Sequence, residues 1–443
     1  MKNLKIYKVG GAVRDMLLGK QPNDLDYVVV GSTEEEMLSL GFEKVGADFP
    51  VFLHPETHDE YALARIERKT GSGYNGFTVN ASQSVTLKED LERRDLTVNA
   101  MAMDENDVLY DPFNGQKDLK NKTLRHVSEA FKDDPLRILR IARFCAKMPG
   151  FTVADETASM MKKMVADGEI NELTKERIWK EIEKVMVTPR PSRFFEVLDD
   201  LGALEVIFPE IKKMQGIPQP KKHHAEGDVY IHVMMVLDRA TDLSANLSDE
   251  NKILVRMAAL YHDIGKAYTP DHLLYEDGIA VGKHHGHDGV ALVTEKMKVV
   301  GERLCMPKHI ESFCIDTAFV HQKIHGLKVM SPPKVTNMLN DLNIRQKTGQ
   351  GKEHIYVDNL MMACYADHQG RMMVNEEGVI VNPPKEYPQQ DLFRAYFKEY
   401  SSTPELKSWI EKYVERNDKK PEGELIKSQL HSIRVKKIGQ LRP

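Results

Sequence analysis

Strand-like runs are confined to roughly the first 127 residues of this 443-residue chain, and from Ser128 onward nearly every segment carries helical spacing and helical punctuation. Short β-rich runs at Lys5–Val9, Tyr27–Val30, Glu60–Ile66 and Val108–Tyr110 alternate with helical patches, as in a small α/β domain. Behind it, helices are expected at Asp155–Ala166, Thr174–Met186 and Pro191–Leu201, with Gly202 and Pro209 as punctuation. An earlier helix should begin at Asp133-Asp134-Pro135, where Pro suits the first turn and the acids suit the dipole. Gln215 to Pro220 reads as a linker, and a histidine-rich helical segment runs from about Asp228 to Leu342. A polar stretch from Arg345 to Glu353 leads to a helix carrying Asp367, and Asn382 to Pro388 precedes a helical tail. The expected fold class is α+β, divided at 1–127, 128–220, 221–375 and 376–443.

Composition narrows the partners. A net charge of −5 excludes a generally basic, non-specific nucleic-acid coat. The charge is uneven, however: Ser401 to Pro443 holds ten Lys/Arg against six Asp/Glu, so a basic tail follows an acidic body. Such a tail can touch a polyanion locally or be an ordinary solvated helix. The four cysteines form no C-x-x-C pair, and there is no signal peptide and no long apolar stretch. The expectation is a reduced cytoplasmic protein with no membrane partner, monomeric or homodimeric.

The chemistry starts at Gly10-Gly11-Ala-Val-Arg14-Asp15, followed by Asp24-Leu25-Asp26 at the head of the apolar run Tyr27–Val30. In a strand, side chains two apart share a face, so Asp24 and Asp26 should project together with Leu25 opposite. Two hard carboxylates on one face suit Mg²⁺, whose shell is completed by water and substrate phosphates. Gly10 and Gly11 allow close backbone approach to a phosphate. A lone D-x-D is more often a solvated turn; further elements shift that balance here.

Arg93-Arg94-Asp95-x-Thr97-x-Asn99 offers guanidinium groups for phosphates and polar groups for a ribose, although such clusters are commonly surface ion-pair networks. In the expected helix after Asp134, Arg137, Arg140 and Arg143 recur every three residues, and Asp134 and Arg137 stand at i and i+3. Cytosine and adenine both present an amino donor beside a ring-nitrogen acceptor. A carboxylate facing the first and a guanidinium facing the second would accept both bases and reject uracil and guanine. The alternative is an intrahelical ion pair. Glu60, in its own strand, could reach the metal carboxylates.

The later half holds His232, the adjacent His262-Asp263, the cluster His284, His285 and His287, the i, i+4 pair His321 and His325, and Asp367. Two His and two Asp without Cys favour Mg²⁺, Mn²⁺, Ni²⁺ or Fe over structural zinc, and an open site of this kind can activate water against a phosphate ester. A single buried His-Asp pair would more often be a hydrogen-bonded core pair.

Taken in order, Val9-Gly-Gly-Ala-Val-Arg-Asp15, Asp24-x-Asp26, Arg93-Arg-Asp-x-Thr-x-Asn-Ala100 and Asp133-Asp-x-x-Arg137 resemble the motif set of class II tRNA nucleotidyltransferases, the CCA-adding enzymes, which bacterial poly(A) polymerases share. The resemblance implies a polymerase-β-like nucleotidyltransferase head followed by helical neck, body and tail. It implies Mg²⁺ on Asp24 and Asp26, nucleotide contacts from Gly11, Arg14, Arg94, Arg140 and Arg143, and an amino-acid template of Asp134 and Arg137 that selects CTP and ATP. Asp133 departs from the family, which usually has Glu there. The histidine set resembles the HD phosphohydrolase superfamily. His232, His262, Asp263 and Asp367 match its metal ligands, and His284, His285, His287 and His321 would be substrate or supporting groups.

A head near residue 1 followed by an HD segment is the layout of the multifunctional CCA proteins. That resemblance implies a tRNA 3′-end substrate, together with 2′,3′-cyclic phosphodiesterase, 2′-nucleotidase and phosphatase activities. Three rivals remain: a poly(A) polymerase, an HD phosphohydrolase whose head only binds nucleotides, and a non-catalytic RNA-binding module.

Overall fold

The computed structural model describes residues 4–22, 24–45, 51–69, 77–270, 272, 275–276, 279–280, 289–349 and 351–442. It divides into two compact units, Met1–Glu181 with Arg193–Ile207, and Ile182–Ser192 with Phe208–Pro443.

The first unit is built on a mixed sheet. Its strands are β1 (Lys5–Val9), β2 (Asp26–Val30), β3 (Glu43–Val45), β4 (Val51–Leu53), β5 (Glu60–Leu63), then, past the separate ribbon of β6 (Ile66–Lys69) and β7 (Phe77–Asn80), β8 (Ala102–Met103) and β9 (Leu109–Tyr110). The order is β3-β4-β5-β2-β1-β8-β9, antiparallel throughout except for the parallel pair β2–β5. β2 is central, and its alternation serves two cores. Val28 packs with Val9, Leu91 and Ala100, and Val29 packs on the other face with Met37, Phe42 and Phe52. Each fully buried side chain of this kind stabilises the fold by about 1.5–3 kcal/mol. The register sets Val9 opposite Asp26 and Asp26 beside Glu60, so the end of β1 and the starts of β2 and β5 meet at one edge of the core.

Helices flank this sheet: α1 (Gly11–Leu17), α2 (Glu34–Ser39), α3 (Leu87–Glu92) and α4 (Gly115–Lys120). α2 and α3 each start with a capping box, Thr33/Glu36 and Thr86/Glu89, which satisfies otherwise orphaned N–H groups. Behind them come α5 (Leu136–Lys147), α6 (Asp155–Ala166), α7 (Lys175–Met186), α8 (Ser192–Asp200) and α9 (Leu204–Ile207). Two local details differ from the sequence reading. Asp133 ends a 3₁₀ turn, Asp134 is extended, and Pro135 caps α5 instead of lying inside its first turn. β3, β4 and β8 are strands of two or three residues, too short to show alternation.

The second unit is helical: α10 (Pro209–Lys212), α11 (Val229–Leu243), α12 (Asp249–Tyr261), α13 (Val290–Leu304), α14 (Lys308–His325), α15 (Pro332–Leu342), α16 (Ile344–Thr348), α17 (Glu353–Gln369), α18 (Gln389–Ser401), α19 (Pro404–Asn417) and α20 (Gly423–Gln440). α11, α12, α14 and α17 pack on one another as a bundle. The stretch read as a linker, 215–220, is instead folded. Gln219 N donates to Gly227 O at 2.9 Å, Val229 N donates to Ile217 O at 3.0 Å, and Gln219 is buried. Its Gly and Pro residues serve a tight antiparallel bridge between Pro218 and Asp228. The glycine-rich loop expected at 70–76 and the cluster of His284, His285 and His287 lie outside the described residues. Among the described residues no helix is long and apolar enough to cross a membrane.

Candidate active sites

A cavity of about 590 Å³ opens at the end of β1 and the starts of β2 and β5. Its lining includes Gly10, Gly11, Arg14, Asp26, Glu60 and Arg94 from the sheet side and Asp134, Arg137, Arg140 and Arg143 from the helical side. Nearly every head residue singled out from sequence thus meets in one place. Asp24 is the exception: it sits exposed in the bend before β2, outside the lining and outside the strand expected to carry it. It is still close to Asp26. Burial chiefly raises the Asp26 carboxyl above its ordinary value, Arg94 opposes the rise, and the Asp24 charge adds to it. Asp26, with the Asp24 charge nearby and Glu60 in register beside it, brings oxygen donors of the kind a hard divalent cation takes to this edge of the sheet.

Nine basic side chains line the same cavity, a charge suited to phosphate groups. Local structure holds them in place. Asp90, fully buried on α3, accepts from Arg93 Nη2 at 2.7 Å and Arg94 Nη2 at 3.1 Å, and so orients the arginine pair at the helix end. Arg14 is 2% exposed and donates to Asn99 Oδ1 at 2.6 Å. Asn99 in turn donates to Asp95 at 3.0 Å, and Asp95 accepts from Arg140 Nε at 2.8 Å. Burial pushes the Asp95 carboxyl up, but Arg140 and Asn99 outweigh it and hold the group down at about 2. Phe144 lies beneath three guanidinium groups, at 5.4 Å from Arg14, 5.9 Å from Arg140 and 4.7 Å from Arg143.

The Arg137 backbone N–H donates to Asp134 O at 3.0 Å, while the two side chains are held by other groups. Asp134 accepts from Arg177 Nη2 at 2.8 Å and from Leu136 N at 3.1 Å. Arg137 donates to the carbonyls of Ala130 at 2.9 Å and Arg93 at 2.6 Å. Both side chains are therefore held by the protein while still facing the cavity. The sequence reading missed Arg177, Glu181 (which accepts from Arg143 Nε at 2.6 Å) and Phe144. The first two are an i, i+4 pair on α7, a visible signal whose partners are 43 and 38 residues away.

In the second unit, His232 on α11, His262 capping α12, Asp263 and Asp367 on α17 converge, and none is more than 4% exposed. His232 Nε2 lies 3.3 Å from His262 Nε2, 3.2 Å from Asp367 Oδ1 and 3.8 Å from Asp263 Oδ2. His262 Nε2 lies 3.3 Å from Asp263 Oδ2 and 3.7 Å from Asp367 Oδ1. Donors about 2.1 Å from one ion stand about 3.0–3.4 Å apart, so this set fits a shared divalent cation. The electrostatics agree: burial alone would lower the His262 imidazole, yet Asp263 and Asp367 raise it to about 9, so the cluster favours positive charge at its centre.

His321 Nε2 lies 3.6 Å from Asp263 Oδ1, and His325 Nε2 donates to Asp367 Oδ2 at 2.7 Å. Tyr387 meets the far ring nitrogen of His325 at 2.8 Å. Lys266 Nζ donates to Asp263 Oδ2 at 2.8 Å and to Gln219 Oε1 at 2.6 Å. Lys266, Tyr387, His224 and Glu226 were missed from sequence; His-x-Glu shortly before His232 was the available signal for the last two.

The first unit thus presents a nucleotidyltransferase-type site and the second an HD-type metal site. Comparison with known proteins agrees. Residues 6–125 match the model of the poly A polymerase head domain, 150–215 the probable RNA and SrmB-binding site of polymerase A, and 229–326 the HD domain. The chain is 46% identical over 396 residues, 89% of its length, to 90% of the multifunctional CCA protein of Vibrio campbellii (strain ATCC BAA-1116), and it belongs to that family. A CCA-adding enzyme in apo form II superposes with a TM-score of 0.63 at 20% identity, over 99% of this chain and 88% of that one. The Thermotoga maritima CCA-adding enzyme complexed with tRNA gives 0.57 at 20% identity, over 99% and 88%. Both share the fold. The domain families concerned use divalent metal ions.

Proposed function

We propose that the first-unit cavity adds C, C and A to the tRNA 3′ end from CTP and ATP without a nucleic-acid template, and that the HD cluster hydrolyses phosphate esters of the kind that damaged 3′ ends carry, including 2′,3′-cyclic phosphates, 2′-nucleotides and phosphomonoesters. The observation that carries this reading is the single cavity joining Asp26, the arginine set and the Asp134/Arg137 pair.

Asp24 and Asp26, with Glu60 alongside, would hold Mg²⁺, which when bound neutralises the triphosphate and lowers the pKa of the attacking hydroxyl. Arg14, Arg94, Arg140 and Arg143 bind and orient the triphosphate, leaving the α-phosphorus open to the tRNA 3′-hydroxyl with pyrophosphate as leaving group. Gly11 lets the backbone approach the phosphates. Asp134 accepts from the base amino group and Arg137 donates to the adjacent ring nitrogen, a Watson–Crick-edge pattern that cytosine and adenine share and uracil and guanine lack. Fixing Asp134 on Arg177 and Arg137 on two carbonyls prearranges that edge.

His232, His262, Asp263 and Asp367 would hold Mg²⁺, Mn²⁺ or Ni²⁺, which when bound supplies an activated water and polarises the phosphoryl oxygen. Lys266 fixes the Asp263 carboxylate and His325 that of Asp367. The basic tail, α19 and α20, is suited to the tRNA backbone. The protein works in the cytoplasm.

Substitution separates the two sites. Asp26→Ala is expected to lose nucleotide addition by at least 100-fold while hydrolysis of a 2′,3′-cyclic nucleotide continues, and His262→Ala to do the reverse. Loss of both activities in folded protein from either change contradicts two separate centres.

A further inference from the structure

The Glu226 side chain is buried although its backbone is partly exposed, and its carboxylate is turned toward His232 of the HD cluster. Its Oε1 accepts from His232 at 2.9 Å and from His224 at 3.1 Å, in each case from ring Nδ1. Its Oε2 accepts from the Met372 backbone N–H at 2.9 Å. An ionised carboxylate can only accept, so His232 must carry its proton on Nδ1. That leaves the Nε2 lone pair facing His262 and Asp367, 3.3 and 3.2 Å away. His262 is set the same way by a different acceptor, its Nδ1 donating to Ala259 O at 2.8 Å. The two imidazoles thus aim their Nε2 atoms at one point because a carboxylate stands behind one and a carbonyl behind the other.

We propose that Glu226 is a positioning residue of the HD centre: it fixes the Nδ1–H tautomer and ring orientation of His232, and through them the affinity of the cluster for its divalent ion. The proposal rests on the metal-binding reading of the cluster given above. Groups that orient metal-bound histidines typically change affinity by about 10–100-fold when removed.

The geometry makes Glu226→Gln a sharp test. An amide must place its NH₂ either on the two imidazoles or on the Met372 N–H. The first forces Nδ1 of His232 to accept and turns an N–H into the metal site; the second sets donor against donor. The first reverses the His232 tautomer; the second keeps a neutral, weaker acceptor on its Nδ1–H but drives the side chain off the Met372 N–H, so in both cases the carboxylate that orients the ring is lost at almost constant volume. The readouts are the affinity of full-length protein for Mn²⁺ and Ni²⁺ by equilibrium dialysis, and the His232 tautomer in metal-free protein from side-chain ¹⁵N shifts.

Glu226→Gln is expected to bind each ion 10–100-fold more weakly and to shift the His232 ring ¹⁵N resonances away from the parent's carboxylate-bound Nδ1–H pattern, with head-catalysed nucleotide addition unchanged. Unchanged affinity or unchanged His232 ¹⁵N shifts overturns the proposal. His232→Ala is measured in parallel: if it binds the ions as tightly as the parent, the metal reading of the cluster fails, whereas weakening there without weakening in Glu226→Gln refutes only the role of Glu226. Should Glu226→Gln not fold, Glu226→Asp, which keeps both acceptors one methylene further back, must weaken binding while restoring the Nδ1–H signal; parent-like affinity in that variant also overturns the proposal.

Discussion

Asp95 is 6% exposed and nonetheless ionised. Burial works against its charge, but Arg140 and Asn99 bring the folded-state value to about 2, below the ordinary 3.8. A depressed carboxyl stabilises the fold fully above about pH 4 and ceases to do so as pH falls through 2, a contribution of about 2 kcal/mol by linkage. Asp95→Asn should therefore lose about 2 kcal/mol at pH 7 and show a flatter acid limb between pH 4 and 2. Urea unfolding at a series of pH values checks this, and parallel pH curves for parent and variant would contradict it. At this scale the residues that chemistry demands by type were legible: the carboxylates near β2, the spaced arginines, the His-Asp pair. Their holders were not. Arg177 and Glu226 act on partners 43 and 6 residues away, and only the fold makes Arg177 a neighbour of Asp134. Asp24 was legible as a candidate but not as a bend residue, because a D-x-D spacing says nothing of where a strand begins.

Among the elements, α11 and α17 approach closely where they carry His232 and Asp367. Gly370 permits it, since a Cβ there would lie 2.6 Å from the Val236 Cα on α11 and 2.8 Å from Ala366 O. Backbone cannot yield as a side chain does, so Gly370→Ala must push the helices apart and lengthen the 3.2 Å approach of His232 to Asp367. The variant is expected to lose about 1–3 kcal/mol of stability and at least 10-fold in HD hydrolysis, with nucleotide addition retained. Thermal unfolding and the two activity assays test it; full hydrolysis in the variant would mean the contact is slack. Long elements such as α6, α7 and α8 were visible in the sequence, whereas the segment 228–342 was read as one helical stretch and β3, β4 and β8 are set by neighbours in the sheet. The segment 215–220 was misread because Gly and Pro mark a tight bridge as readily as a linker.

At the scale of the molecule, the order of motifs did more than any one of them. The glycine pair and D-x-D alone fit a solvated turn, which Asp24 in its exposed bend still resembles, and His262-Asp263 alone fits a buried core pair; the cavity that gathers Gly10, Gly11 and Asp26 and the four-residue cluster weigh against both readings. What sequence could not supply was how the proposed base-reading pair is held, since only the fold shows Arg177 on Asp134 and the carbonyls of Ala130 and Arg93 on Arg137. The central claim is that this pair and the Asp26 cavity build CCA. It is tested most directly by incubating the protein with Mg²⁺ and tRNA lacking its terminal CCA, omitting each nucleotide in turn. CTP alone should add two residues and stop, CTP with ATP should add CCA, and UTP or GTP should add nothing. A poly(A) tail from ATP alone, or no C addition from CTP, would contradict the account.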